Sequence, residues 1–261
     1  MLPSWEPLWP YRAVLAVDAR NFSALDSKGM QQVNADIPPL LAQALSESNV
    51  SAHWERRMFG QHTGDGYVAG MDPEVLPALV GCFPEALRAA LARRRAETPA
   101  GPPLQLRVSI HVGPLPNSGL GVPMVHIHRL LDDDALRAVL NRANPEITNT
   151  VVIISQRVYE DVVESGCVNG DVLPSQFTSH LARAKKFQQP AWIHIPGFDW
   201  RLADPDIFEP VNATDAVTEQ PKAPASMAAQ AAAPVPGTVN FSHHGEHGVQ
   251  TYNLFGTGRG Q

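Results

Sequence analysis

Apolar and polar positions alternate along this chain in two recognisable periods, and the changes between them mark out the elements. Arg12-Ala-Val-Leu-Ala-Val17 is an almost wholly apolar run that ends in Asp18. Such a run predicts a central strand covered on both faces, with a carboxylate at its end. Met30, Val33, Ile37, Leu40, Leu41, Ala44 and Leu45 then recur at helical spacing, and Pro38-Pro39 is expected to kink or divide that helix. A strand is expected from about 51 to 59. It leads into Arg57 to Ala69, where two short apolar runs meet at Gly64-Asp65-Gly66 and predict strand, tight turn, strand.

Asp72-Pro73-Glu74 has the chemistry of a helix start, and Leu76, Leu79, Val80, Phe83, Leu87 and Leu91 supply the buried stripe that follows. Arg93-Arg94-Arg95 closes the helix with cations suited to its C-terminus. Leu104 to Val112 alternates cleanly, which predicts a half-buried strand. Gly113 to Pro123 reads as a loop, and Met124 to Ala143 as helix, with Ile127, Leu130, Leu131, Leu136 and Leu140 on one side. The side chains of Asp132-Asp133-Asp134 fan out around a helix and cannot converge on a metal, so they mark a solvated face or a helix restart. Val151 to Ile154 is a buried strand, Arg157 to Glu164 a short helix and Ala191 to Ile195 the last strand of the folded part. The order gives an α+β, ferredoxin-like sheet with antiparallel pairing at its centre and helices packed on it.

With 261 residues, 44% of them hydrophobic, the chain can bury an ordinary globular core. Beyond about Asp206 the composition changes, and residues 210–236 are dominated by Ala, Pro, Thr and Gln. They are expected to be a disordered linker. Three parts follow: a domain over 1–205, a Pro/Ala-rich linker over 206–236 and a short C-terminal motif over 237–261. The net charge of −6 offers no basic field for nucleic acid. Cys82 and Cys167 lack metal spacing and suit a reducing compartment. No run of about eighteen apolar residues and no secretory leader pattern is present. A cytoplasmic protein without a membrane span is therefore expected.

In a sheet of this kind the end of the first strand lies beside the central hairpin, so Asp18 and Asp65 are expected to approach closely enough to share divalent metal. Three stretches carry a resemblance: Asp18-Ala-Arg-Asn-Phe22, Gly64-Asp65-Gly66 and Leu106-Arg-Val-Ser-Ile-His-Val-Gly113, with Gly121 to Leu131 following. In order and spacing they resemble successive motifs of the class III adenylate/guanylate cyclase catalytic domain, over roughly residues 11–197. The resemblance implies that Asp18 and Asp65 hold two ions of magnesium or manganese and that Arg129 stabilises charge on the transferred phosphate. It implies a nucleoside triphosphate substrate, release of pyrophosphate from a cyclic nucleotide product, and a homodimer or a heterodimer with another cyclase-like chain. Arg129 has a local alternative, an ion pair with Asp132 or Asp133 along its helix.

Departures from the family pattern are concentrated in base recognition and at one catalytic amide. The family asparagine, four residues before the arginine, is replaced by Val125, and His126 substitutes only after a shift of register. Gln61 and His62 stand near the base-recognising lysine, Asn117 and Ser118 near the base-recognising acid, and Lys185 and Lys186 roughly at a phosphate-binding lysine. His111, His126 and His128 lack the usual zinc spacing and read as structural, and His243, His244 and His247 as polar tail residues. Gly248 to Gly256, with Gln250 and Asn253 able to form side-chain ladders, resembles amyloid-type signalling motifs of bacterial effector and receptor pairs. The expected function is thus a bacterial-type nucleotidyl cyclase-like signalling protein. The alternative is a catalytically silent cyclase-fold module for binding or dimerisation that recruits an effector or receptor through residues 237–256.

Overall fold

β1 (Tyr11–Ala19) runs through the middle of a seven-stranded mixed sheet, hydrogen-bonded to antiparallel neighbours on both sides. The computed structural model describes residues 6–168, 172–209, 241–245 and 248–252. After β1 come α1 (Ser27–Glu47), α2 (Ser51–Glu55), β2 (Phe59–His62), β3 (Gly66–Met71), α3 (Leu76–Val80), α4 (Cys82–Glu97) and β4 (Leu106–Pro114). Then follow α5 (Val122–Leu131), α6 (Asp134–Arg142), β5 (Thr150–Ser155), α7 (Gln156–Val158), β6 (Phe177–Ala184) and β7 (Phe187–His194). The strand order is β2-β3-β1-β4-β5-β7-β6. Its first four strands have the ferredoxin-like order expected from the sequence, and β4–β5 is the one parallel pair in the sheet.

Alternation along β1 divides the core in two. Ala13, Leu15 and Val17 pack with Ile37, Leu41 and Leu45 of α1 and Phe83 and Leu87 of α4. Val14 and Ala16 point the other way, onto Val68, Leu115, and Ile127 and Leu131 of α5. Leu136 and Leu140 of α6 extend that second layer over Val151 and Ile153 of β5.

Several local expectations are corrected. Pro38 and Pro39 lie inside one continuous helix, α1, which they do not divide, because Val33, Ile37, Leu40, Leu41 and Leu45 all bury on the sheet. Residues 51–55 form the short helix α2 rather than a strand; Trp54 buries and its ring meets Tyr67 at 5.8 Å. The segment 124–143 is two helices, and Asp133 caps the second, accepting from Ala135 N at 2.8 Å. That is the helix restart. Leu106–Pro114 is buried on both faces, since α5 covers its polar row as well. β6 is an edge strand whose mixed sequence, FTSHLARA, carries no clean strand period. Arg93, Arg94 and Arg95 do more than face a helix dipole, pairing with Glu47, Asp36 and Glu146 at 2.6, 2.7 and 3.0 Å.

Contacts divide the chain into Met1–Ala216 and Val217–Gln261. In the second unit β8 (Phe241–Gly245) pairs antiparallel with β9 (Gly248–Tyr252). The linker expected over 210–236 lies outside the described residues, as does the end of the C-terminal motif. No single helix among the described residues is long and apolar enough to cross a membrane.

The turn between β2 and β3 makes unequal demands on its two glycines. A Cβ on Gly66 would run into the carbonyl oxygen of Val17, whereas Gly64 has open space around it but a φ of 97°. Gly66→Ala is expected to cost about 3 kcal/mol by overpacking and Gly64→Ala about 1 kcal/mol by backbone strain, as read by urea unfolding. Equal losses would count against this account of the turn.

Candidate metal and nucleotide site

Asp18 stands at the end of β1 opposite Gly66 on one side and Arg107 on the other, so these three residues share one face of the sheet. Because Gly66 has no side chain, β3 brings its turn against β1 at this point. Asp65, the next residue, accepts a backbone hydrogen bond from Ala19 N at 2.9 Å. Asn34 of α1 reaches across and donates its side-chain amide to Gly64 O at 2.7 Å. The turn is therefore tied to both neighbouring elements. Asp65 is half-buried, and its carboxylate is close enough to Asp18 to disfavour charge on it.

The environment of Asp18 is unusual for an ordinary strand-end carboxylate. It is 8% exposed; one oxygen pairs with an Nη of Arg107, and Oδ1 is buried without a partner. Burial pushes its pKa up to about 7, the Arg107 guanidinium works against that rise, and the Asp65 charge adds to it. Arg107 is 8% exposed too, and burial lowers its pKa despite the attraction of Asp18. Both shifts oppose the charged pair. Desolvation outweighs the Coulomb gain, and the pair is held by the fold more than it holds the fold.

Arg107 belongs to a buried polar row with Ser109 and His111 on β4, in which Arg107 Nε, Ser109 Oγ and His111 Nδ1 also lack partners. Each such atom costs roughly 1–3 kcal/mol. Burying Ile127, Leu130 and Leu131 of α5 over the second layer returns about 1.5–3 kcal/mol apiece. His111 is held neutral, its pKa lowered to about 4 by burial and next by the nearby His126, whose ring lies 5.6 Å away. Among the described residues no three His, Cys, Asp or Glu side chains gather as a metal cluster.

The other residues singled out by the sequence divide by position. Gln61 and His62 sit on exposed β2, opposite Val68 and Tyr67, on the same hairpin as Asp65. Arg129 is half-buried on α5 and forms no ion pair among the described residues, so the alternative of a pair with Asp132 or Asp133 is absent there. Val125 is 54% exposed. Asn117 accepts from Arg12 at 3.1 Å and Ser118 Oγ accepts from Leu120 N. Arg12 lies six residues before Asp18 on β1, roughly 20 Å away at strand rise, so Asn117 and Ser118 are not brought to the aspartates within one chain. Lys185 and Lys186 form the exposed turn of β6 and β7, at the far edge of the sheet.

Asp133 was not anticipated beyond a helix restart. It is 2% exposed and accepts from Ala135 N, Arg183 N and His180 Nε2 at 2.8, 2.7 and 3.0 Å. Burial acts to raise its pKa, but the hydrogen bonds prevail and hold it below the usual range. A cavity of about 610 Å³ is elsewhere again, lined by Cys82, Glu85, Arg88 and His194 among others. It includes neither aspartate.

No family model matches the chain, and no curated protein matches it. Among solved structures it is similar to the guanylyl cyclase Cya2, at 13% identity over 71% of this chain and 90% of that one, TM-score 0.43. It is similar to a bacterial light-regulated adenylyl cyclase at 14% identity over 75% and 56%, TM-score 0.49. The adenylyl cyclase CyaB from P. aeruginosa is 15% identical over 74% and 97%, TM-score 0.41.

The raised pKa of Asp18 has a consequence for stability. Between about pH 4 and 7 the folded chain holds a proton that the unfolded chain has released, so this group's contribution to stability falls as pH rises through that window. Measured in EDTA, wild type is expected to lose roughly 2–4 kcal/mol relative to Asp18→Asn from pH 4 to pH 7 and to level off above. A constant difference would show that Asp18 is ionised throughout.

Proposed function

We propose that the chain is a nucleotidyl cyclase-like signalling protein that converts a nucleoside triphosphate to a cyclic nucleotide and pyrophosphate. The observation that carries this reading is the approach of Asp18 and Asp65 on one face of the central sheet, with Asp18 Oδ1 buried and unpartnered. Two adjoining carboxylates are a hard-oxygen donor set that fits magnesium or manganese. The orphaned oxygen is one that a cation would satisfy. Metal bound there would supply neutralisation of the triphosphate and activation of the ribose hydroxyl.

The chain's own residues do the positioning. Ala19 N and Asn34 fix the turn that carries Asp65, and Arg107 orients Asp18. Arg129, without an ion pair among the described residues, supplies a cation for charge on the transferred phosphate. Gln61 and His62 on the same hairpin present donors and acceptors for a base edge. Asn117, Ser118, Lys185 and Lys186 serve a nucleotide only across a dimer. Leu120, Val122 and Val125 support such pairing, being 77, 64 and 54% exposed around the start of α5.

One observation favours the silent module instead: Val125 carries no amide where the resemblance asks for one. A heterologous partner chain would restore it.

The test is incubation with ATP, GTP, CTP and UTP plus manganese, with pyrophosphate and cyclic product measured. Turnover of at least one triphosphate is expected, falling about 100-fold or more in Asp65→Asn while melting shifts by no more than about 2 °C. Absence of product from every triphosphate in a dimeric sample favours the silent module.

A further inference from the structure

On the face of the sheet away from the paired aspartates, between the first turns of α4 and the end of β7, lies the cavity of about 610 Å³. Small-molecule sites occupy roughly 300–1,000 Å³. His194 on its wall pairs across the sheet with Val152 and Phe177, and both of these pack in the layer that α1 and α4 cover. Asp18 alternates with Val14 and Ala16 onto the opposite face. In the strand order β1-β4-β5-β7 the two residues are three strands apart, roughly 14 Å at strand spacing. The cavity is therefore no part of the metal and nucleotide site.

The charged groups around it already have partners. Arg88 Nε donates to both carboxylate oxygens of Glu85, one turn earlier on α4, at 3.0 and 2.9 Å, so the two charges offset each other. Cys82 Sγ donates to Ala78 O at 3.8 Å. His194 is the exception. It is 4% exposed, and its Nδ1 lies 2.9 Å from the Gln176 carbonyl, which also accepts from Trp200 Nε1 at 3.0 Å. A carbonyl only accepts, so Nδ1 carries the proton. Burial lowers the pKa of the ring against the opposing pull of that carbonyl and of Glu85, which leaves the imidazole neutral and Nε2 a bare acceptor. Nε2 has no partner among the described residues. Because the ring feels the charge of Glu85, it faces α4, the side on which the cavity opens.

The remaining wall is apolar, with Ile147, Ile195 and Phe198, and Ile147 is 69% exposed. Phe198 stands edge-on to Trp200 at 5.1 Å, and the His194 ring lies 5.0 Å from that of Phe177, so aromatic groups frame the space. A charged guest would find no free counter-ion here. A neutral one with a single donor would satisfy the buried acceptor and cover the apolar wall.

We propose that this cavity binds an uncharged aromatic molecule bearing one N–H or O–H group, which donates to His194 Nε2 while its ring covers Ile147, Ile195 and Phe198. The site is independent of nucleotide turnover, since it lies on the other face of the sheet.

The full chain, without metal or nucleotide, is titrated calorimetrically with indole and with N-methylindole, which has the same ring but no donor. Indole is expected to bind saturably and about fivefold or more tighter than N-methylindole, the worth of one hydrogen bond to a buried acceptor. His194→Phe is expected to bring indole down to the level of N-methylindole and to leave the latter unchanged. Ile147→Asp, at an exposed position where folding is not at risk, is expected to weaken both several-fold by removing apolar wall. The site is overturned if neither compound binds up to on the order of 10 mM, if wild type binds the two equally, or if Ile147→Asp binds both as wild type does.

Discussion

Three residues opposite one another on adjacent strands, Gly66, Asp18 and Arg107, set the character of this molecule. The missing side chain of Gly66 lets β3 close on β1, and that approach delivers Asp65 to Asp18. On the other side Arg107 supplies a cation where the sheet is already covered by α5. The arrangement is costly in desolvation, and it persists because the layers around it are apolar and continuous. The large apolar clusters on both faces make a conflict at one point tolerable.

The same logic accounts for the polar row beneath α5. Arg107, Ser109 and His111 occupy alternate positions of β4 and would face water in a sheet open on one side. Here α5 lies over them, anchored by Ile127, Leu130 and Leu131, and several of their polar atoms are left without partners. Among the described residues, four of the six unsatisfied buried side-chain atoms belong to Asp18, Arg107, Ser109 and His111; the other two, Arg12 Nε and His53 Nδ1, lie elsewhere.

Both candidate carboxylates were legible in the chain because their signals are local. An apolar run that stops at Asp18 and a carboxylate between glycines at 64 and 66 are properties of short stretches. The strand order that brings them together follows from the succession of elements. Arg107 was not legible as a partner of Asp18, since alternation along β4 says only that it faces away from Leu106 and Val108. Asp133 looked like one of three fanned acids, and only its contacts with His180 and Arg183 from β6 show it as an internal anchor. Asn34 gave no signal at all, being one polar residue on a helix whose contact is 30 residues away.

By itself the sequence determined the α+β class and the antiparallel centre, because periodicity and turn chemistry act over a few residues. Tertiary structure alone decided that 51–55 is helix, that two prolines sit undivided in α1 and that both faces of β4 are buried. These outcomes depend on which surfaces meet across long separations, where burial of apolar area overrides local propensity and sets the surroundings of every charge.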